Sequence, residues 1–195
     1  MQKQAPTGHV TEEADDDAGL MRRIAAGDER AFRGLMQRHL ARTVRLAARV
    51  MGGTAAAEDV AQEAFIRVWK HAGDWLEPHQ AGAKFTTWLY RIVLNLCIDE
   101  KRKHRFSDIE AIPEPMDQGD NAQTAIERRE QSERVRAALE ELPDRQRAAF
   151  VLCFYEEHSN KEAAEILGIS VKALESLLVR SRRALKDKLG GERQP

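Results

Sequence analysis

The stretch that organises this chain runs from residue 159 to residue 170 and reads SNKEAAEILGIS. Ser159, followed three residues later by Glu162, is typical of a capping box, in which each side chain satisfies a free backbone amide at the start of a helix. Gly168 is expected to end that helix, because glycine adopts the positive φ of a tight turn without strain. Since Ser170 can cap a second helix, the stretch predicts a helix-turn-helix.

The helix after the turn is expected to run from Val171 to about residue 189, with its side chains sorted by face. The apolar stripe expected to face inward consists of Val171, Leu174, Leu178 and Leu185. Because a helix fits the major groove of duplex DNA, the opposite face can reach base edges and phosphates. The alternative is an ordinary helical hairpin with a solvated basic face. The candidate DNA contacts, with one lysine from the first helix, are Lys161, Lys172, Glu175, Ser176, Val179, Arg180, Arg182 and Arg183.

The formal net charge of -1 conceals a strong segregation of charge along the chain. Residues 84–105 carry six basic side chains against two acids, and residues 171–195 carry seven against three. Acidic stretches lie before and between these blocks. Two separate basic blocks indicate two contacts with a polyanion, and the alternative is again a set of solvated helix faces.

The rest of the chain predicts an all-α fold of two helical domains joined by a flexible acidic linker. Helix formers dominate residues 20–105, and no strand alternation is visible. Residues 106–123 contain two prolines and five acids but almost no apolar periodicity, which is typical of a linker. The predicted organisation is an acidic disordered tail at 1–19, a first domain at 20–105, the linker at 106–123, a second domain at 124–189 and a C-terminal tail at 190–195.

Inside the first domain, Asp28 is placed to cap a helix that Gly52 and Gly53 would end. An irregular loop is expected from Gly73 to Lys84, because it contains a proline and a second glycine. A strong amphipathic helix should follow and run into a basic cluster that ends at residue 105.

Several classes of protein are disfavoured by the composition. The longest apolar run, Ala148 to Tyr155, is far shorter than the ~20 residues of a membrane span, and we expect neither membrane insertion nor a secretory signal. Cys97 and Cys153 fit buried thiols in a reducing cytoplasm. The histidines show no metal-ligand spacing, and neither a glycine-rich phosphate loop nor a nucleophile motif is visible. We therefore expect no enzyme, and no catalytic residue, metal or cofactor.

Four segments carry a resemblance to a known family. Residues 59–65 read DVAQEAF and residues 85–95 read FTTWLYRIVLN; both resemble region 2 of the extracytoplasmic-function (ECF) sigma factors, group IV of the sigma-70 family. Residues 141–147, ELPDRQR, and the helix-turn-helix resemble region 4 of the same family. The resemblance covers roughly residues 20–189.

The resemblance implies an alternative sigma factor, which binds the RNA polymerase core and directs promoter recognition, melting and the initiation of transcription. The implied partners are the β′ clamp and β flap of the core, promoter DNA, and an anti-sigma factor that holds the protein inactive. The implied setting is a stress response in the cytoplasm, with association to the nucleoid when the protein is active.

The resemblance also implies roles for individual residues. Region 2 would contact the polymerase clamp through Asp59, Gln62, Glu63 and Arg67, while Phe65 and Trp69 would belong to the core. The loop from Pro78 to Lys84 would form part of a pocket for a base of the melted -10 element. The implied -10 contacts are Gln80, Lys84, Trp88, Arg91, Asn95, Lys101, Arg102 and Arg105. The helix that follows the turn in region 4 would read the -35 element.

Some assignments stay open at the level of sequence. Trp88 can pack in the core or contact DNA, and Asn95 can contact DNA or form a hydrogen bond within its helix. Glu175 stands where many relatives have a basic residue; it can accept from cytosine N4 or pair with Lys172 or Arg182. A stand-alone DNA-binding regulator is the alternative function, and it would bind duplex DNA tightly without polymerase.

Overall fold

The computed structural model of the chain describes residues 16–53, 55–76, 84–105 and 132–190, with the backbone alone for residues 104 and 105. Every regular element in these ranges is a helix, which confirms the predicted all-α fold. The helices are α1 (Asp17–Ala25), α2 (Glu29–Met51), α3 (Ala55–Lys70), α4 (Ala72–Trp75), α5 (Phe85–Arg105), α6 (132–140), α7 (Asp144–Phe154), α8 (Asn160–Leu167) and α9 (Val171–Gly190). The predicted linker and the predicted start of the second domain lie outside the described residues.

Helices α1 to α5 form the N-terminal unit around an apolar interior. Asp28 caps α2 as predicted, because its Oδ1 accepts hydrogen bonds from the backbone amides of Arg30 at 2.8 Å and Ala31 at 3.2 Å. Gly52 ends the helix with a φ of 89°. Large apolar side chains from the long helices fill the interior, and those exposed by 2% or less include Leu35, Leu46, Phe65, Leu89, Val93 and Leu94.

The acidic tail predicted over residues 1–19 ends earlier than expected, because α1 begins at Asp17. Asp16 caps this helix by accepting a hydrogen bond from Gly19 at 2.7 Å. The Asp17 carboxylate lies 2.9 Å from Nε2 of His39 and 3.4 Å from Nη1 of Arg38. The last acids of the apparent tail therefore stabilise a helix N-terminus, where a negative charge is favourable.

The irregular loop predicted from Gly73 to Lys84 is also partly wrong. Its first residues form the short helix α4, which buries Trp75 to 7% exposure against the interior. Gly73 is tolerated there because burial of a large aromatic side chain outweighs its low helix propensity. Residues 77–83, including Pro78, lie outside the described residues.

Helices α6 to α9 form the C-terminal unit, in which the predicted capping box and turn are confirmed. The Glu162 amide donates to Ser159 Oγ at 3.3 Å, and the Ser159 amide donates to Glu162 Oε2 at 3.1 Å. Gly168 ends α8 with a φ of 63°. Ser170 caps α9 by accepting from the Ala173 amide at 3.2 Å, so each local signal in residues 159–170 produces the expected geometry.

The inward face of α9 is mostly as predicted. Leu174, Leu178 and Leu185 are buried, but Val171 is 40% exposed. Val171 lies in the first turn, beyond the reach of the helices that cover the rest of the stripe. Helix α9 also extends to Gly190, one residue into the predicted C-terminal tail.

Arg147 in α7 joins the two units and is completely buried. Its Nη1 donates to the Val50 carbonyl in the last turn of α2 at 2.9 Å, and its Nη2 donates to the Glu140 carbonyl at the end of α6. The last carbonyls of a helix have no partner within the helix and carry its negative dipole end. One guanidinium therefore caps a helix from each unit.

Candidate nucleic-acid interface

The outward face of α9 presents the side chains that the sequence assigned to DNA. All seven candidates in this helix are exposed, and the aliphatic side chain among them, Val179, is 64% exposed. Backbone contacts order part of this face: Ser176 Oγ donates to the Lys172 carbonyl at 3.0 Å, and Arg180 Nε donates to the Ser176 carbonyl at 3.1 Å. Lys161 is exposed at the start of α8. The turn therefore holds a mixed basic, polar and aliphatic face away from the core.

Glu175 keeps its carboxylate available on this face. It is exposed, and among the described residues it forms an ion pair with neither Lys172 nor Arg182, the two alternative partners considered from the sequence. A free carboxylate beside Ser176 and Val179 can accept a hydrogen bond from cytosine N4, while an aliphatic side chain can contact a thymine methyl group. The carboxylate of Glu175 is therefore accessible to a partner from outside the chain.

Arg182 differs from the other arginines of α9 because it lies over an aromatic ring. Its Cζ is 5.0 Å from the centroid of Phe154, a favourable cation–π geometry. Both side chains border an open, mainly apolar cavity of about 610 Å³. The other side chains lining it include Phe150, Tyr155, Leu185 and Lys186.

Helix α5 and the residue before it carry the second group of predicted DNA contacts, and three of these face the C-terminal unit. Lys84 Nζ lies 3.2 Å from Oε1 of Glu162, and Arg91 Nη2 donates to the Glu165 carbonyl at 2.6 Å. Lys101 Nζ lies 3.6 Å from Oδ1 of Asp144. The structure thus places these cations together on one side of α5, against the other half of the chain.

The remaining candidates of this group have different surroundings. Trp88 is half-buried against the apolar interior, with its ring 6.2 Å from that of Phe85, which favours the packing alternative. Asn95 is exposed, and Arg102 is exposed beside Asp99 at 3.8 Å. Gln80 lies outside the described residues, as does the side chain of Arg105.

Helix α3 presents the surface that the resemblance assigns to the polymerase clamp. Asp59 and Gln62 are exposed, and Glu63 is partly exposed with its Oε1 2.9 Å from Nε of Arg67. This ion pair spans one helical turn and keeps both charges at the surface.

Of the two aromatic residues of α3 that were expected in the core, only one is buried. Phe65 belongs to the core, as predicted, but Trp69 is 37% exposed, with its ring 5.2 Å from that of Phe32. Ile66 is 39% exposed. Ile66 follows Asp59 by seven residues, so helical periodicity places both residues on the same face of α3. That periodicity could have identified Ile66 from the sequence.

The cysteines and carboxylates provide no reactive centre in the part of the chain that is described. Burial raises the pKa of the Cys97 thiol to about 12, and it also raises the pKa of Cys153. Both thiols are therefore protonated near neutral pH and are poor nucleophiles. The described residues contain no group of three or more His, Cys, Asp or Glu side chains able to hold a metal. Among the described helices, none combines the length and apolar character that crossing a bilayer demands.

Comparison with known families matches both halves of the chain. The model of sigma-70 region 2 matches residues 35–107, and the model of sigma-70 region 4 matches residues 132–185. The chain is 34% identical over 185 residues to the ECF RNA polymerase sigma factor SigE of Mycolicibacterium smegmatis, covering 91% of this chain and 70% of SigE.

Two solved structures also resemble this fold. CnrH, solved in complex with the cytosolic domain of CnrY, aligns with a TM-score of 0.65 at 30% identity, over 91% of this chain and 99% of CnrH. The sigma factor RpoE of Bartonella quintana, solved with the anti-sigma factor NepR, aligns with a TM-score of 0.64 at 22% identity, over 83% of this chain and 98% of RpoE. The latter likeness is one of fold.

Proposed function

The chain belongs to the sigma-70 family of RNA polymerase sigma factors, in its ECF group, and we propose that its two units bind core polymerase and different promoter elements. The observation that carries this proposal is the pair of exposed faces on α3 and α9, held on separate units. Each face alone would make a modest contact. Joined in one chain and aligned by the polymerase, the two contacts gain effective concentration.

The proposed division of roles follows the charges and exposure of each surface. The N-terminal unit contacts the β′ clamp through Asp59, Gln62, Glu63 and Arg67, together with the exposed apolar surface of Ile66. The cations of α5 hold the separated strands at the -10 element, where positive charge lowers the repulsion between phosphates. The outward face of α9 enters the major groove at the -35 element.

Further partners are part of the same proposal. The cavity beside Phe154 offers apolar surface next to Arg182 and Lys186, which suits an apolar segment with acidic flanks, and we assign it to the β flap. CnrH was solved with the cytosolic domain of another protein, CnrY; we infer that this chain is likewise held inactive by an anti-sigma factor. It acts in the cytoplasm, at the nucleoid when active, in a stress response, and is not an enzyme.

The test is run-off transcription with purified core polymerase on a library of promoter sequences, with and without the chain. We expect defined start sites that require both the chain and the core. Tight, palindrome-dependent binding of duplex DNA by the chain alone, without new start sites, would instead indicate a stand-alone regulator.

Asp59→Lys is expected to weaken association with core polymerase by about tenfold, because it reverses an exposed charge at the proposed clamp contact. Titration of labelled core measures the change. Arg180→Ala is the matched control, since it alters the other unit. It should leave core binding intact and reduce promoter-directed transcription. Equal core affinity of Asp59→Lys and the wild type would move the clamp contact away from α3.

Glu175→Lys is expected to change base preference at one position of the -35 element by about tenfold, since a base-pair mismatch costs roughly 1–3 kcal/mol. The lysine loses the acceptor for cytosine N4 and can donate to guanine. Promoter selection from a randomised -35 library measures the change. Asp187→Lys makes the same charge change near the end of α9 and should raise affinity without altering preference. An unchanged profile for Glu175→Lys would remove Glu175 from the reading face.

A further inference from the structure

The two units of the chain contact each other through a buried acid. The Glu156 side chain, in the turn after α7, is only 4% exposed. Its Oε2 accepts from Arg42 Nε at 3.0 Å, and its Oε1 accepts from Arg49 Nη1 at 2.9 Å, so it bridges two arginines of α2. A charge-assisted hydrogen bond on each carboxylate oxygen makes this a strong polar contact between the units.

Aromatic rings pack against the two arginines that bind this carboxylate. The Arg42 guanidinium lies 5.7 Å from the centre of the Tyr90 ring, and that of Arg49 lies 4.9 Å from the centre of the Tyr155 ring. His158 packs edge-on against Tyr90, with ring centres 5.5 Å apart. Burial lowers the pKa of His158, which leaves the ring neutral near pH 7. The contact is thus built from the side chains of both units around one negative charge.

Groups near the same contact bind cations that the proposed function assigns to DNA. Lys101 is the clearest case, because its side chain is 17% exposed and that of its partner Asp144 is 13% exposed. Arg91 is held by a backbone carbonyl of α8. Lys84 and Glu162 form an exposed pair, with side chains 75% and 39% exposed, which contributes little by itself. Groups of α7 and α8 therefore occupy positions where phosphates would lie.

The polar groups of this contact would be solvated if the two units separated. Arg42 and Arg49 have side chains 48% and 37% exposed, so water can solvate both once Glu156 leaves. The buried Tyr90 hydroxyl and His158 Nε2 have no hydrogen-bond partner among the described residues, and opening would return them to water. The interface also has an apolar part, because buried side chains of both units belong to one hydrophobic cluster, so opening exposes apolar surface as well.

We propose that the chain adopts a closed state latched by Glu156, in which its C-terminal unit competes with promoter DNA for Arg91 and Lys101 of α5 and for Lys84, which immediately precedes that helix. The proposal rests on the proposed function, since it concerns the regulation of the same DNA-binding surface. In this state the reading helix and the strand-holding cations cannot engage a promoter together. A partner that binds the open state more tightly than the closed state shifts the equilibrium towards the open state, by an amount set by that difference in affinity.

The test compares Glu156→Gln with Glu157→Gln in the full-length chain. Both variants remove one negative charge from the same turn, but Glu157 is exposed whereas Glu156 is the latch. Small-angle X-ray scattering measures the radius of gyration. Fluorescence anisotropy measures the affinity for a mixed-sequence single-stranded DNA oligonucleotide, without polymerase.

We expect Glu156→Gln to expand the chain and to bind the oligonucleotide about fivefold more tightly, because the apparent affinity follows the fraction of open molecules. Glu157→Gln should match the wild type in both measurements. The proposal is overturned if the two variants behave alike, or if Glu156→Gln expands the chain without any gain in affinity.

Run-off transcription separates this proposal from the proposed function. If the wild-type chain directs start sites with core polymerase but Glu156→Gln changes neither size nor DNA affinity, the latch is wrong and the proposed function stands. If Glu156→Gln opens the chain and gains affinity while the wild type directs no start site, the latch stands and the proposed function is wrong.

Discussion

Arg147→Ala is expected to lower the free energy of unfolding by about 3 kcal/mol, because it opens a cavity and leaves two helix-end carbonyls, one buried and one partly buried, without a donor. Val50 and Glu140 provide those carbonyls, one from each unit. Urea unfolding followed by circular dichroism measures the loss.

Arg147→Met separates the two contributions to this loss. Methionine retains much of the buried volume without donating hydrogen bonds, so its unfolding free energy should fall between those of the wild type and Arg147→Ala. A urea midpoint for Arg147→Ala equal to that of the wild type would show that water caps both helices equally well. It would also exclude Arg147 as a stabilising link between the units.

Leu174→Ala is expected to lower the free energy of unfolding by about 3 kcal/mol, within the usual range for a leucine truncated in a packed core. Leu174 is completely buried where α9 packs on the rest of the C-terminal unit. The reading face of α9 should lose its fixed orientation, and binding to the -35 element should fall with it.

Val179→Ala provides the matched comparison for this prediction. It truncates an aliphatic side chain in the same helix, but one that is 64% exposed. Its effect on unfolding should be within about 0.5 kcal/mol, as for most surface substitutions. Similar losses for both variants in urea unfolding would show that the inward and outward faces of α9 are misassigned.

The helix-turn-helix could be predicted from sequence because its determinants are local. Ser159, Glu162, Gly168 and Ser170 act on backbone groups within a few residues, and each has the predicted role. Local signals do not predict the structure where the same residues are compatible with two different structures. Asp16 and Asp17 suit an acidic tail as well as a helix N-terminus, and burial of Leu20, Met21 and Ile24 decides in favour of the helix.

The contacts between the units could not be predicted because they join residues far apart in the chain. Glu156 follows Arg42 by 114 residues, and no periodicity links them. Arg147 lies in the ELPDRQR motif, yet arginine is seldom buried, so no pattern in the sequence predicts its place in the interior. Helical periodicity also overstates burial at the end of an element, as Val171 shows.

The capping of two helices by Arg147 has a consequence for folding during translation. Arg147 follows Val50 by 97 residues, so the ribosome releases the last turn of α2 long before the side chain that caps it is synthesised. Until Arg147 is synthesised, water must donate the hydrogen bond to that carbonyl. The N-terminal unit of the nascent chain therefore folds before Arg147 can cap the last turn of α2. Its packing against the C-terminal unit is a late event in synthesis.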